Sequence, residues 1–224
     1  MHVGVHRTLT PTLWRTAYAV NVMPRQRSLT RPQIAAAALE VVDTDGLGSL
    51  SMRTVARRLG MGTMSLYRYV ADRDELEAMV VELVLESVDL RPPAGSARHR
   101  ILVLAERVRD ATARHPAVVP LLLAHRHRLP ASLRWGEAVL GVLAEAGYAG
   151  KRRVYAFRAL LACTFGALEI QHHSALSGPG TRALAELPAD EFPRLSETAA
   201  AARGIGAGDE FRHGLEILLR GLQI

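Results

Sequence analysis

The sequence predicts an all-α fold, and three observations support this prediction. Apolar residues recur at i, i+3, i+4 and i+7 in several segments, as they do on one face of an amphipathic helix. Capping signals precede these segments, and glycine or proline follows them. No segment shows the strict alternation of apolar and polar residues that is typical of a half-buried strand. Because 49% of the 224 residues are hydrophobic, the chain can bury a sizeable core.

The first predicted helix begins after Thr30 and ends at Asp45-Gly46. Thr30 and Gln33 have the spacing of a capping box, in which each side chain binds the other's backbone N–H group. Pro32 is tolerated in the first turn of a helix. The apolar stripe of this helix consists of Ile34, Ala37, Ala38, Val41 and Val42.

Two short helices joined by a glycine-bounded turn are predicted next. Ser51 is the N-cap of the first, and Leu59-Gly60 ends it, because glycine accepts the left-handed conformation of a helix stop. The second begins near Thr63 and is expected to run to about Val70. This arrangement is a helix-turn-helix.

The rest of the chain is predicted to form a helical bundle. Long or medium helices are expected over residues 72–90, 97–113, 117–124, 130–146, 151–173 and 209–222, with one or two short helices between 181 and 202. We therefore divide the chain into an extension (1–27), a three-helix module (28–75) and a C-terminal helical domain (76–224). We expect the extension to be disordered, and our hypothesis is that residues 1–22 are an upstream extension that need not be made in the cell.

The net charge of +6 belongs entirely to the N-terminal third. Residues 1–71 carry nine arginines and three acidic residues, which leaves 19 of the 28 basic and 19 of the 22 acidic residues to the remainder. A polyanionic partner for the N-terminal third follows from this asymmetry. The single cysteine, Cys163, excludes an internal disulfide framework and a multi-cysteine zinc site. No apolar run is long enough to predict a membrane-spanning helix, and we expect a cytoplasmic protein.

The run LSMRTVARRLGMGTMSLYRYVADRDELEAMV (50–80) resembles the DNA-binding domain of the tetracycline-repressor (TetR) family, as does the preceding DTDGLGSLS. The match covers about residues 30–80 and includes the glycine turn, the Leu66-Tyr67 pair and the acidic start of the fourth helix. The C-terminal segments RHPAVVPLLL, LRWGEAVLGVLAEAGY and FRHGLEILLRGL are similar, more loosely, to the family's ligand-binding and dimerisation domain. The resemblance implies a dimeric repressor that is released from a palindromic operator in double-stranded DNA by a small lipophilic effector.

The resemblance also indicates which residues contact DNA: Arg53, Thr63, Met64, Ser65, Tyr67, Arg68, Tyr69 and Arg73. Arg53 is expected to bind a guanine edge, with a solvated surface arginine as the alternative. Residues 63–65 are expected to meet base edges or methyl groups. Tyr67, Tyr69 and Arg73 are expected to contact the phosphate backbone, although Tyr67 could instead be a core tyrosine.

Other arginines of the N-terminal third have weaker assignments. One of Arg57 and Arg58 is expected to touch a phosphate while the other is solvated. Arg25 and Arg27 could form an arm near the minor groove or belong to an untethered charged tail.

An apolar effector site is expected in the C-terminal domain. Its walls would be Trp135, Phe157, Leu161 and Phe165, with Gln171 or His172 as a polar group. The alternative is that these are ordinary core residues. Helices near 151–173 and 209–222 are apolar over wide stripes, and two from each subunit could form an intersubunit four-helix bundle.

No catalytic residue, metal site or cofactor is predicted. His172 and His173 are adjacent and point to different helix faces, and His125 and His127 are expected in a connector without a nearby carboxylate. Two alternative functions remain at this point. One is an architectural DNA-binding dimer without an effector, and the other is a helical enzyme that uses the histidines.

Overall fold

A computed structural model describes residues 29–224, so the predictions for the 1–27 extension and its arginines lie outside the described residues. The described part contains α-helices, two short 3₁₀ turns and no strand, which confirms the all-α prediction. The helices are α1 (Arg31–Asp45), α2 (Met52–Arg58), α3 (Thr63–Leu66), α4 (Arg73–Glu86), α5 (Ala97–Ala113), α6 (Val119–His125), α7 (Pro130–Glu145), α8 (Gly150–Ser174), α9 (Pro179–Ala185), α10 (Pro193–Ala202) and α11 (Ala207–Gly221). The 3₁₀ turns are Leu47–Ser49 and Pro116–Val118.

The predicted caps of the N-terminal module (α1–α3) are present. The backbone N–H of Thr30 donates to Gln33 Oε1 at 2.9 Å, and the backbone N–H of Gln33 donates to Thr30 Oγ1 at 3.4 Å. The Ser51 hydroxyl accepts from the backbone N–H of Thr54 at 3.1 Å. Gly60 ends α2 with φ of 67°, the left-handed conformation that favours glycine. Local residue chemistry therefore places the beginning of α1 and both ends of α2.

Helix α3 is shorter than predicted, and the expectation that it reaches Val70 is wrong. It ends at Leu66, and residues 67–69 form a turn. The N–H groups of Arg68 and Tyr69 donate to the carbonyls of residues 65 and 66, three positions back, at 3.4 and 2.9 Å. This tighter turn carries the chain to Val70, which is buried in the core next to the start of α4.

Helix α4 joins the N-terminal module to the C-terminal body (α5–α11). It contacts α1 of the module and α5, α6 and α7 of the body. Buried apolar residues from Ile34 in α1 to Leu219 in α11 belong to one continuous hydrophobic core. The predicted boundary between residues 75 and 76 lies within α4, so the two predicted domains share a helix and a core. Helix α4 ends at Glu86, earlier than the predicted Leu90.

The C-terminal body is a bundle in which α8 contacts α6, α7 and α11, and α5 contacts α7 and α11. Helices α9 and α10 contact each other and form a hairpin whose α9 has no buried residue. Within residues 29–224, none of the helices combines the length and the apolar character that crossing a membrane requires.

Candidate nucleic-acid interface and effector cavity

The residues predicted to contact DNA lie on α2, α3, the turn after α3 and the first turn of α4. Five of the eight are exposed: Arg53, Met64, Tyr67, Arg68 and Arg73. Met64, in the first turn of α3, is 79% exposed although methionine is apolar. Thr63 and Ser65 are half-buried, and Leu66 between these residues and the turn is buried in the core. Helix α3 is thus held by one face and presents the other to solvent.

The two tyrosines differ in their surroundings. Tyr67 is 47% exposed, which excludes the alternative of a core tyrosine. Tyr69 is half-buried and packs against the hydrophobic core. Its backbone carbonyl accepts a hydrogen bond from Arg31 Nη1 at 2.9 Å. Tyr69 therefore connects the end of the helix-turn-helix to the beginning of α1. The contact with the DNA phosphate backbone that the resemblance implies for Tyr69 stays a prediction.

The acidic side chains between residues 29 and 71 are Glu40, Asp43 and Asp45, and each contacts a basic group. Glu40 and Asp45 pair with Arg58 at 2.6 and 3.5 Å, and Asp43 lies 2.8 Å from His115 Nδ1. Arg58 is thus bound to α1 although it remains exposed, and Arg57 has no ion-pair partner among residues 29–224. The expectation that one of the two touches a phosphate stays a prediction.

Three arginines of the module, Arg53, Arg57 and Arg68, form no ion pair with any residue in the 29–224 range. All three are exposed. Arg57 lines a polar groove that also contains Ser51 and Arg73. Because the acidic groups of the module contact Arg58 and His115, these three arginines have no acidic partner among residues 29–224, and they make the surface around α2 and α3 positive.

A cavity of about 420 Å³ lies between α7, α8 and the end of α6. Four of the five residues predicted for the effector site line it: Trp135, Phe157, Leu161 and Phe165. Trp135 and Phe165 are buried, with ring centroids 5.7 Å apart in an edge-to-face arrangement. The indole N–H of Trp135 donates to the carbonyl of Leu104 at 3.0 Å. This hydrogen bond fixes the orientation of the Trp135 ring at the base of the cavity.

The two candidates for a polar group lie elsewhere. Gln171 Nε2 donates to the carbonyl of Ala207 at 2.8 Å and to Glu210 at 3.1 Å, which ties α8 to α11. His172 packs edge-to-face on His173, with centroids 4.7 Å apart, and does not line the cavity. The polar residues of the cavity wall are Arg126, His127, Ser132, Glu137 and Arg158. The sequence did not indicate them, because Arg126 and His127 lie in a connector without a periodic signal, and the orientation of Ser132, Glu137 and Arg158 depends on how α7 and α8 pack.

The family model described as "Tetracyclin repressor-like, C-terminal domain" matches residues 91–224. This chain belongs to the TetR family. The HTH-type transcriptional repressor DrrR1 of Streptomyces coeruleorubidus is 30% identical, over 98% of this chain and 86% of the relative. The tetracycline repressor protein class D of Escherichia coli is also 30% identical, over 88% of this chain and 90% of the relative.

Solved structures of the TetR family give the same result. The crystal structure of ActR from Streptomyces coelicolor in complex with (S)-DNPA aligns with a TM-score of 0.74 and 27% identity, over 87% of this chain and 97% of ActR. ActR in complex with actinorhodin also aligns with a TM-score of 0.74, at 26% identity, over 88% and 96% of the two chains. With its helix-turn-helix and its named relatives, this TetR-family protein is a DNA-binding transcriptional regulator.

A polar cluster links α4 to α6 in this TetR-family regulator, and it corrects one expectation. His125 is buried, and its Nε2 lies 3.1 Å from Glu77 Oε2 and its Nδ1 lies 3.8 Å from Asp74 Oδ1. The expectation that His125 has no nearby carboxylate is therefore wrong, because α4 packs on α6 from a distant part of the sequence.

Asp74, Glu77 and His125 offer ligand atoms within 4.8 Å of one another, the arrangement that a metal ion would require. Guanidinium groups already neutralise both carboxylates: Arg128 binds Asp74 at 2.5 Å, and Arg73 binds Glu77 at 2.8 Å. The hydrogen bond from Arg128 lowers the pKa of Asp74. The cluster is best described as an ion-pair network between α4 and α6.

Proposed function

We propose that this TetR-family regulator is a homodimeric repressor. It binds a palindromic operator through α2, α3 and the start of α4, and a small effector in the cavity between α7 and α8 releases it. The proposed protein is not an enzyme. We also propose a cytoplasmic location, because a repressor must reach its operator.

The observation that carries the DNA-binding part is the charge of the exposed module surface. Arg53, Arg57 and Arg68 lie on or just after α2 and α3 and pair with no acidic residue of the 29–224 segment. In a helix-turn-helix, the second helix enters the major groove, where side chains of its first turn meet base edges. Thr63, exposed Met64 and Ser65 form this turn of α3. Unpaired guanidinium groups around it can bind phosphates or a guanine edge.

The effector part is supported by the cavity and by the structural neighbour. Ligand sites in proteins typically have volumes of about 300–1,000 Å³ and mostly apolar walls with a few polar groups. The cavity of about 420 Å³, with Trp135 and Phe165 at its base, meets this description. ActR, which has a similar fold, was solved with (S)-DNPA and with actinorhodin. An architectural dimer without an effector would leave this cavity without a function.

Dimerisation is supported by an exposed apolar surface on α8 and α11. Tyr155 and Ile170 of α8 are 69% and 58% exposed, and Ile217 of α11 is 68% exposed. Ala162 and Gly166 lie between the two α8 residues on the same side of the helix, and small residues allow close approach of a second helix. Exposed apolar patches of this kind mark association surfaces. Paired with its copy, this surface would form a four-helix bundle.

Release requires that the effector bind two conformations of the dimer with different affinity. Helix α4 is the element through which this difference can reach the DNA-binding module, because it contacts α1 as well as α6 and α7. The His125–Glu77 contact at 3.1 Å joins the end of α6 to α4 one turn from Arg73. A shift at the cavity end of α6 would therefore change the position of a predicted phosphate contact.

The test compares Arg53→Ala and Arg73→Ala on duplexes selected from a random library by the parent protein. Arg53→Ala should lose preference at one symmetric base pair of each half-site, at a cost of about 1–3 kcal/mol. Arg73→Ala should weaken binding to all duplexes and reduce the slope of log affinity against log salt by about 1 per site. Arg203→Ala, which removes an exposed arginine beyond α10, should change neither quantity.

Two results would contradict the proposal. An unchanged base preference in Arg53→Ala would remove this residue from base recognition. The second result is that the parent protein selects no sequence and that all three variants bind DNA equally less tightly than the parent. A general attraction of positive charge to DNA would then explain the binding, and the proposed operator recognition would be rejected.

A further inference from the structure

The wall of the cavity between α7 and α8 carries more positive than negative charge. Arg126 and Arg158 line it together with a single carboxylate, that of Glu137, and with His127. Neither arginine forms an ion pair with a carboxylate of the described chain, residues 29–224. Arg126 is half-buried and Arg158 is exposed. A neutral lipophilic ligand that covered the Arg126 guanidinium group would not replace the water that solvates it, which is unfavourable.

Arg126 is oriented by its own helix. One of its Nη1–H groups donates to the backbone carbonyl of Leu123, near the end of α6. A guanidinium group has five N–H donors in a planar fork, so most of the donors of Arg126 stay free for a ligand. The fork geometry suits the two oxygens of a carboxylate, and charge-assisted hydrogen bonds of this kind are stronger than neutral ones.

A second polar group of the wall lacks a partner. The Ser132 hydroxyl oxygen is fully buried, and no group of residues 29–224 forms a hydrogen bond with it. Ser132 lines the cavity and also the small void behind it, next to Trp135 and Phe165. Buried polar groups of folded proteins nearly always have a hydrogen-bond partner. A ligand oxygen inside the cavity would supply the missing one.

The apolar part of the wall suits a flat ring system. Trp135 and Phe165 meet edge-to-face at its base, and the half-buried Phe157 and Leu161 follow along α8. Gly136 contributes no side chain, and a Cβ at this position would lie 3.4 Å from the Phe157 ring. Aromatic rings pack favourably against such edges and faces.

We propose that the effector is an aromatic organic anion. Its acidic group is bound by the guanidinium groups of Arg126 and Arg158, its ring system packs on Trp135 and Phe165, and the Ser132 hydroxyl donates to one of its oxygens. This inference rests on the proposed effector function and specifies its chemistry. It adds a negative charge to the small lipophilic effector that the family resemblance implies.

Three naphthalene probes that differ in charge test the inference by calorimetry on the DNA-free protein: naphthalene-2-carboxylate, the neutral naphthalene-2-carboxamide and the cationic 2-naphthylmethylammonium. We expect the carboxylate to bind at least about tenfold more tightly than the carboxamide, and the ammonium compound to bind most weakly. Equal or tighter binding of the carboxamide or the ammonium compound would overturn the inference, as would no detectable binding of the carboxylate.

Variants locate the charge recognition. Arg126→Gln and Arg158→Gln should remove the preference for the carboxylate over the carboxamide while leaving carboxamide affinity nearly unchanged. Ser132→Ala should weaken both probes by a similar factor, because both present a carbonyl-type oxygen. Glu137→Gln is the matched control of the same wall, and it should bind the carboxylate at least as well as the parent. Loss of carboxylate affinity in Glu137→Gln would refute the assignment of the two arginines as the anion-binding groups. Unchanged carboxylate affinity in both arginine variants would refute it as well.

Release of DNA separates this inference from the proposed function. If the carboxylate binds but does not release selected duplexes, the effector function fails while the anion selectivity of the cavity stands. If the carboxamide or the ammonium compound releases DNA and the carboxylate does not, the effector function stands and the inference of an anion is wrong.

Discussion

The turn between α2 and α3 contains two glycines that differ in one physical property, and this difference allows a quantitative test. Gly60 has a φ of 67°, in the left-handed region, whereas Gly62 has a φ of −73°. A Cβ atom added at either position would meet no heavy atom within 4 Å. Substitution by alanine therefore creates no clash at either site, and its effect depends on backbone conformation alone.

Gly60→Ala should cost about 1–2 kcal/mol, because the energy that an L-residue needs to hold the left-handed conformation exceeds the gain from a less flexible unfolded chain. Gly62→Ala should be nearly neutral. Alanine lowers the entropy of the unfolded chain, which stabilises by about 0.4–1 kcal/mol. Gly62 is also the N-cap of α3, where alanine is less favourable than glycine by a few tenths of a kcal/mol or more. These two effects largely cancel.

The assay is thermal and urea unfolding of the full chain, followed by circular dichroism. Because the module and the body share one hydrophobic core, the loss at Gly60 should appear in the main unfolding transition. A cost of 1–2 kcal/mol corresponds to a midpoint lowered by about 2–8 °C in a chain of this size. Equal destabilisation by the two variants, or an unchanged midpoint for Gly60→Ala, would refute the backbone argument.

Two further predictions concern the dimer surface and pH. Ile217→Asp places a charge on the exposed apolar surface of α11, and it should convert the dimer to a monomer in sedimentation at micromolar concentration. Ala113→Asp, at the exposed end of α5, is the control and should leave the dimer intact. A dimer that persists in Ile217→Asp contradicts the proposed surface. The pKa of Glu75 is lowered from 4.5, first by the hydrogen bond from the backbone N–H of Ala71 and then by Arg31. The Glu75 carboxylate therefore stabilises the fold fully above pH 4.5, and this stabilisation is lost as the pH falls through the lowered pKa. Glu75→Gln should therefore reduce the free energy of unfolding at pH 7 by less than about 1 kcal/mol, and a difference from the parent that persists unchanged at about pH 3.5 would be inconsistent with this account.

Local signals in the sequence were sufficient for the elements of the N-terminal module. The capping box of Thr30 and Gln33, the cap at Ser51 and the stop at Gly60 each involve residues within a few positions of one another. The positions of these helix ends therefore depend little on the rest of the chain. The end of α3 was predicted wrongly because Val70 must enter the shared core, and that requirement comes from α1 and α4 rather than from the residues of the turn.

The effector cavity shows the same division. Trp135, Phe157, Leu161 and Phe165 could be predicted as a group, because apolar residues at helical spacing share one face of α7 or α8. Arg126 and Ser132 could not, because one lies at the end of α6 and the other in the first turn of α7, and their orientation depends on how these helices pack.

The sequence by itself determined the all-α fold class, the position of the helix-turn-helix and the concentration of positive charge in the N-terminal third, because periodicity, caps and composition are local or additive properties. Only the tertiary structure decided which arginines have no acidic partner and can therefore contact DNA. Arg58 is neutralised by Glu40, 18 positions away, while Arg53, Arg57 and Arg68 have no such partner among residues 29–224. His125 meets Glu77 across 48 positions. Charge pairing depends on distances of a few ångströms between atoms, and folding brings those atoms together from separate parts of the chain.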